Sequence, residues 1–556
     1  MTIVSHCRDQ WERVYTGRRV WKVKRAFRMK PLVSSVLYLT LVLPAYTQVA
    51  VTTSRNDNSR DGQNLNETTL TPANVNVTQF GKLFSQPVDG YVYAQPLYVP
   101  NVSIPGLGMH NVVYVATEHD SVYAFDADSN TGLNASPLWH TSFIDSAKGI
   151  SPVPSGDVSC TDLVPEIGIT STPVIDTNTQ TIFVVAKTKE HGKYFQRLHA
   201  LNITTGAEQP GSPVTIRAQV RGTGEGSSNG IISFDALQEG QRPGLLLVTS
   251  TVFIAWASHC DNQPYHGWII AYNESTLKAS AVWNSTPNGG LGGVWQSGTG
   301  VASDGQFIFF ATGNGTYDGP SGGRDFGDSV MKMPVPASQS HAFDFFTPYD
   351  QNSLSGADTD VGSGGVLLLP DQGSGAPHQH LLVQVGKSGS IYLIDRDHMG
   401  HYNPQNNDQI VQDMENAIGG LWATPAWWNN NVYFGGSSDY LRQYTFDPGS
   451  GLLSASAASL SPTYFGFPGP TPSISANETN DAIVWVLQTD DYGSGPATLH
   501  AYDATNLASE LYNSDQNFSR DNPGGAVKFT VPTIANGKVY VPAVQQLSVF
   551  GLLGNN

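Results

Sequence analysis

Charge is scarce in this chain of 556 residues: Asp, Glu, Lys and Arg together make up 13% of it. What charge there is runs acidic, 46 carboxylates against 29 Lys and Arg, for a formal net charge of -17. The first 48 residues hold nine of those cations and two of the acids, which leaves 20 against 44, a balance of -24, for the rest. A body of that sign repels phosphate backbones, so nucleic-acid binding is not expected. Long apolar runs are missing as well. The strongest, Leu32 to Leu43, falls well short of the roughly 20 residues that cross a bilayer, so no stable membrane span is expected. Cysteine is rare, with 3 in all. No His-Glu-x-x-His pair or phosphate-binding Gly-Lys loop occurs, which leaves zinc-protease and kinase chemistry without support.

The short apolar run belongs to MKPLVSSVLYLTLVLPAYTQ, residues 29–48: a basic start, an apolar centre, then small residues. That is the anatomy of a signal peptide and points to a secreted or periplasmic protein; an uncleaved anchor is the other reading. Residues 1–28 then read as an extension upstream of a start at Met29. Beyond the leader only Cys160 and Cys260 remain. An oxidising compartment permits a disulfide between them, and two inert buried thiols are the alternative. Asn-x-Ser/Thr triplets at Asn66, Asn76, Asn101, Asn202 and Asn273 carry information only in a eukaryotic host.

What the chain has in quantity is glycine (57), proline (34) and aromatics (10%), a composition of many strands and turns. The strands repeat. Segments with a small-aromatic-Asp pattern recur as VYAFDA, LHALNITTG, IIAYNEST, IYLIDRD, YTFDPGSG, LHAYDAT and LSVFG, with SVMKM as a weaker copy, eight in all. Ahead of each lies a near-continuous apolar strand, for example VVYVAT, TIFVVA, FIFFAT and NVYFGG. Several units open on Pro at the start of a strand (AQPLYV, STPVID, ATPAWW, PTPSIS, TVPTIA), where proline loses no ladder bond. Each unit reads as four short strands that cannot bury both faces alone, and eight stacked radially can. The last unit lacks a fourth strand, while FGKLFSQPV, Phe80 to Val88, is a spare one. The reading is all-β: one eight-bladed propeller of four-stranded antiparallel blades over residues 80–553, preceded by an N-terminal arm, 49–79, with the ring closed by the N-terminal strand. A pair of β-sandwiches competes but leaves the spare strand unexplained.

The aromatic-Asp-x-x-x-Gly mark followed by Trp (AFDADSNTG…LW, Phe125 to Trp139) resembles the blades of quinoprotein dehydrogenases, which bind pyrroloquinoline quinone (PQQ) on an eight-bladed propeller. Propellers without a cofactor share that mark, so the loops carry the specificity. Gly292-Gly293-Val294-Trp295 and Thr312-Gly313-Asn314 are similar to the family's Gly-Gly-x-x-Trp and Thr-Gly-Asn, with the Gly pair one residue closer to the Trp. The resemblance implies that Trp295 stacks under the quinone and that Asn314 ligates calcium. A Trp face is a broad platform, and an amide oxygen suits a hard cation. Read from the residues alone, the same pair is a Trp capping the core and an Asn in a left-handed turn. VGKSGSIYLIDRD, Val385 to Asp397, resembles the segment whose basic residue reaches the quinone oxygens, and Lys387 takes that place; a solvated turn lysine is the alternative. A cation there polarises the carbonyls.

The resemblance further implies a carboxylate base in the loop after Asn314, where GTYDGPSGGRDFGDSV offers Asp325 and Asp328, Asp325 being preferred. The family's glutamate ligand has Asp261 as its nearest counterpart, shorter by one methylene. The family's adjacent-cysteine roof is absent, since this chain reads Cys160-Thr161-Asp162. That departure leaves Cys160 available to pair with Cys260. No Cys-x-x-Cys-His haem site follows the propeller. The expectation is a propeller binding PQQ and calcium and oxidising a small-molecule alcohol or sugar. A non-catalytic propeller that holds a glycan or protein at the channel mouth, and an extracellular structural role, stand as alternatives.

Overall fold

A computed structural model describes residues 48–335 and 344–554. The leader and the extension before it lie outside the described residues, apart from Gln48. Among the described residues no helix is long and apolar enough to cross a membrane. The protein is an eight-bladed β-propeller. Every segment singled out by the repeat takes its expected place in a blade. Blade 4 is representative: Ala302–Ser303, Phe307–Ala311, Val330–Pro334 and Asp344–Thr347, hydrogen-bonded in that order. Its second strand, FIFFA, is buried over all but its first residue. It needs apolar side chains on both faces because a blade packs against a neighbour on each side.

The core is accordingly divided into wedges between blades. Between blades 3 and 4, Phe253, Ala255, Ile269 and Trp283 meet Ile308, Phe310 and Met331, with the Trp283 and Phe310 rings 5.2 Å apart and edge to face. In the last sheet, early and late strands of the chain pair. Thr533–Ala535 pairs with Lys538–Leu552, and Lys538–Leu552 pairs antiparallel with Phe80–Tyr91, so that Phe80 faces Leu552. Phe80 is fully buried, its ring 5.0 Å from that of Tyr512 and 5.4 Å from that of Trp485.

The arm is the part of the fold that the repeat did not foretell. It follows the inner strands of all eight blades in order, meeting the second residue of each. Val51 exchanges two backbone hydrogen bonds with Tyr98 in blade 1, and the Thr52 carbonyl accepts from Ile175 in blade 2. Asn58 donates to the Leu247 carbonyl in blade 3 and accepts from Ser303 in blade 4. Ser59, Asp61 and Gly62 accept from Leu368, Trp427 and Ile474 in blades 5 to 7. Asn64 donates to the Ile534 carbonyl in blade 8 at 3.1 Å. Inner strands of a propeller present unpaired edges to the channel, and buried backbone groups must find partners; here the arm supplies them. Two fully buried arginines belong to it. Arg60 donates from Nε to the Val301 carbonyl at 2.9 Å, and Arg55 donates to the carbonyls of Pro425 and Pro472. Both are driven down to about 10 by burial.

Candidate functional site

Loops that follow a second strand, and loops that lead into a first strand, meet at one end of the channel. A small cavity there is lined by Asp162, Arg242, Asp261, Trp295, Ser297, Asp360, Ser363, Lys387 and Trp422. A second space beside it shares Arg242 and reaches Tyr93, Gln95, Thr172 and Phe529. Gln95 also accepts from the Arg55 amide at 2.8 Å, which ties the arm to this end of the channel.

The two motifs on either side of FIFFA are hydrogen-bonded to each other. The Gly292 amide donates to the Asn314 carbonyl at 2.6 Å and the Gly313 amide to the Gly293 carbonyl at 2.8 Å. That reciprocal pair fixes Trp295 and Asn314 on one wall. Trp295 is 7% exposed. The Tyr265 ring meets it edge to face at 6.2 Å, and the Arg242 guanidinium lies over its ring at 5.5 Å. Asn314 donates from Nδ2 to Asp358 at 2.8 Å, and its amide donates to Asp360 Oδ1 at 2.7 Å. Its Oδ1 is buried without a hydrogen-bond partner.

Lys387 closes the group. Its ammonium sits 2.6 Å from Asp360 and 2.7 Å from Asp358. Burial would lower its pKa, but the two carboxylates outweigh that and raise it. Asp360 is buried, which pushes its carboxyl up, although Lys387 pulls it back. The glycines of Thr-Gly-Asn and Val-Gly-Lys have a steric reason here. A Cβ at Gly313 would fall 2.1 Å from Asp360 Oδ1, and one at Gly386 2.2 Å from the Asp360 carbonyl. Only glycine lets both segments close on this aspartate.

Asp261 lines the cavity, at φ 53°, and accepts from the Tyr265 hydroxyl at 2.6 Å. Cys260 beside it is disulfide-bonded to Cys160 with the Cα atoms 5.6 Å apart. The bridge thus joins the loop carrying Asp261 to the loop carrying Asp162. Asp162 sits below the usual carboxylate range: burial opposes this, but Arg242 and Lys528 outweigh it. The two base candidates are placed apart from the cavity wall. Asp325 accepts from the Asn288 amide at 2.9 Å and its pKa is raised by burial. Asp328 is fully buried and accepts from the Val361 amide at 3.1 Å, next to Asp360. The sequence therefore picked out Trp295, Asn314, Lys387 and Asp261, which meet here. It missed Asp358, Asp360, Arg242 and Trp422. The available signal was position: Arg242 and Trp422 lie just ahead of the inner strands Leu246–Val248 and Ala426–Trp428, and Asp358 and Asp360 lie in the longer approach to Leu367–Leu368.

Four residues beside the same space hold left-handed backbone without being glycine: Gln296 (φ 35°), Asp358 (φ 54°), Cys260 (φ 51°) and Phe529 (φ 65°). Such strain persists where surrounding contacts over-determine it, often at ligand sites. The donor set suits a flat anionic ligand with a hard cation: a Trp face, two cations, and oxygens from Asn314, Asp358 and Asp360. The unpartnered Asn314 Oδ1 is the atom a cation would satisfy. One adjustment is needed, because the guanidinium over Trp295 is too close for a further ring to slide between. Among the described residues, the one group of three close His, Cys or acidic ligand atoms is Cys160, Asp162 and Cys260, and its sulfurs are spent in the disulfide.

Fold and cavity together make this an eight-bladed propeller with an axial site. Solved structures of that architecture match it over most of its length. The quinohemoprotein alcohol dehydrogenase ADHIIG from Pseudomonas putida HK5 is 13% identical, with a TM-score of 0.59 over 91% of this chain and 81% of that one. The quinohemoprotein alcohol dehydrogenase from Comamonas testosteroni is 14% identical, with a TM-score of 0.58 over 92% and 82%. A europium-containing methanol dehydrogenase is 13% identical, with a TM-score of 0.58 over 90% and 98%. No protein-family model and no curated protein sequence matches the chain. At these identities the likeness establishes the fold.

Proposed function

We infer that the protein is an exported PQQ-dependent dehydrogenase that oxidises an alcohol or sugar, with calcium beside the quinone. One observation carries the reading: motifs distant in sequence bring Trp295 and Lys387 to a single cavity, and Asn314, bonded to the same Asp358 and Asp360 that hold Lys387, keeps a buried amide oxygen unpartnered behind its wall. The solved structures of like fold include alcohol and methanol dehydrogenases, which supports the same chemistry here.

PQQ, when bound, supplies the two-electron acceptor. The chain's residues do the rest. Trp295 offers the stacking face once Arg242 swings aside, and Arg242 then serves as a partner for carboxylate groups. Asn314 Oδ1 and Asp358 provide cation ligands, with Asp261 on the opposite loop. Lys387 places a positive charge where oxygen charge develops. Asp360 takes the proton of the substrate hydroxyl. It is a better base than an exposed aspartate, because burial raises it and because any turn of Lys387 towards the quinone raises it further. Asp328 holds the turn after Asp360 through the Val361 amide. Residues 29–48 provide the export signal.

Purified mature protein reconstituted with PQQ and calcium should acquire a bound-quinone absorbance band and show saturable binding by calorimetry. Absence of PQQ binding with calcium present would overturn the dehydrogenase reading.

A further inference from the structure

Exposed aromatic side chains are few, and they are not scattered. Of the six markedly exposed Tyr and Phe among the described residues, four are Tyr440, Tyr464, Phe467 and Tyr492. All four are carried by blades 6 and 7 beside the mouth. Phe467 is the hub: its ring centroid is 5.1 Å from that of Trp422, 6.1 Å from that of Tyr492 and 6.2 Å from that of Phe529. Trp422 and Phe529 line the axial cavities. The rings therefore run without a break from the cavity wall onto the surface. Tyr440 and Tyr464, cross-strand partners with rings 5.6 Å apart, form a second exposed aromatic pair on blade 6.

The row is held from beneath. The Lys528 ammonium lies 4.9 Å from the Tyr492 ring centre and 5.4 Å from that of Phe529, and it pairs with Asp162 at 3.2 Å. Between the rings the sequence is FGFPGP and DDYGSG, which is glycine, proline and acid, with no aliphatic side chain. A protein-docking patch would mix aliphatic with aromatic residues. Aromatic faces interleaved with carboxylates match another chemistry. One face of a pyranose ring carries C–H groups polarised towards the negative face of an aromatic ring, and its edge carries hydroxyls for acids such as Asp491.

We propose that this crescent is a saccharide platform, which receives a neutral oligosaccharide whose leading unit enters the axial cavity. Neutral sugars fit because the cations beside the platform and the cavity are already paired, Arg242 and Lys528 with Asp162 and Lys387 with Asp358 and Asp360, and the chain's net charge of -17 disfavours anionic polymers. That the bound sugar is also the substrate rests on the dehydrogenase reading; that it binds does not.

The test is calorimetry on the full mature protein without PQQ, titrated with cello- and malto-oligosaccharides of increasing length. Affinity should rise with length, tetrasaccharide over glucose by about tenfold. Tyr492→Ala should remove that gain while leaving the glucose affinity and the melting temperature unchanged, Phe467→Ala should remove it too, and Tyr492→Phe should keep it. Failure of every saccharide to bind, equal affinity for all lengths, or parental behaviour of both alanine variants would overturn the proposal. PQQ binding, measured separately on the same variants, tells a failed platform from a failed quinone site.

Discussion

Lys387→Met should destabilise the metal-free protein in a way that depends on pH. The ammonium sits 2.6 Å from Asp360, whose side chain is 3% exposed. Its removal leaves that carboxylate with the Asn314 amide, at 2.7 Å, as its remaining close donor. Breaking a buried pair by deleting one member costs about 3–5 kcal/mol. The contact with Asp358, an exposed carboxylate, adds little. Asp360 already titrates above the usual carboxylate range through burial, against the pull of Lys387. In the variant it must rise further. The folded variant then keeps a proton that the unfolded chain releases near pH 4. Stability of the variant therefore falls as pH climbs from about 4 through the folded pKa, and its deficit against the parent is full above that window and small below it. Guanidinium unfolding of EDTA-treated protein at several pH values measures this, with Lys387→Met/Asp360→Asn as the partner double variant. The double variant should recover to within about 1 kcal/mol of the parent, because a neutral amide needs no counter-ion. A Lys387→Met deficit below about 1 kcal/mol at neutral pH, or one that does not change with pH, would refute the reasoning.

If the pairing of Phe80–Tyr91 with the last strand closes the ring, a chain starting after residue 90 should lose stability sharply; parental melting of that truncation would count against closure. A thiol assay on denatured, unreduced mature protein should detect no free thiol from Cys160 or Cys260. The bridge closes a separation of 100 residues, so Cys160→Ser/Cys260→Ser should cost about 4–5 kcal/mol by chain entropy, read from denaturant midpoints. Trp295→Ala should weaken PQQ binding by roughly 0.5–1.5 kcal/mol beyond lost burial, whereas Asn314→Ala should weaken calcium first and PQQ through it, both visible in calorimetry. Lys387→Ala should lower turnover more than PQQ affinity, because its charge matters most as the quinone is reduced.

The blades were legible because a propeller repeats one physical problem. Each second strand must be apolar on both faces, as in FIFFA, and inner strands take proline most readily just before their first residue, as at Pro425 and Pro532; the one inside, Pro100 of Leu97–Ile104, falls at a register shift. The same regularity made Trp295, Asn314 and Lys387 stand out as loop residues following or preceding recognisable strands. Asp358 and Asp360 were harder to see, since aspartates in a stretch such as GADTDVGSGG read first as turn residues. Their partners lie 44 and 27 residues away in the sequence, at Asn314 and Lys387, and no local pattern reports that. Arg242 and Trp422 were hidden for a related reason. Attention to loops after the second strands passed over the few residues that lead into the inner ones, which the channel geometry aims at the axis. The arm was least legible, because SRNDNSRDGQN has the composition of a loop and its hydrogen-bond partners are spread over the whole chain.

That spread has a consequence for how the protein is made. The arm is synthesised before any blade, yet its partners run from Tyr98 to Ile534, so it cannot be seated until nearly the last strand exists. A chain cut short anywhere along the way leaves the arm with some of its carbonyls and amides unanswered. The molecule thus carries its own check for completeness: only a finished ring can be sealed, and the piece that seals it has waited since the start of translation. The same order makes closure slow, because every contact of the arm beyond blade 1 is long-range. A tag or fusion joined directly to Val49 would burden the last step of folding, whereas the C-terminal side beyond Leu552 leaves that step untouched.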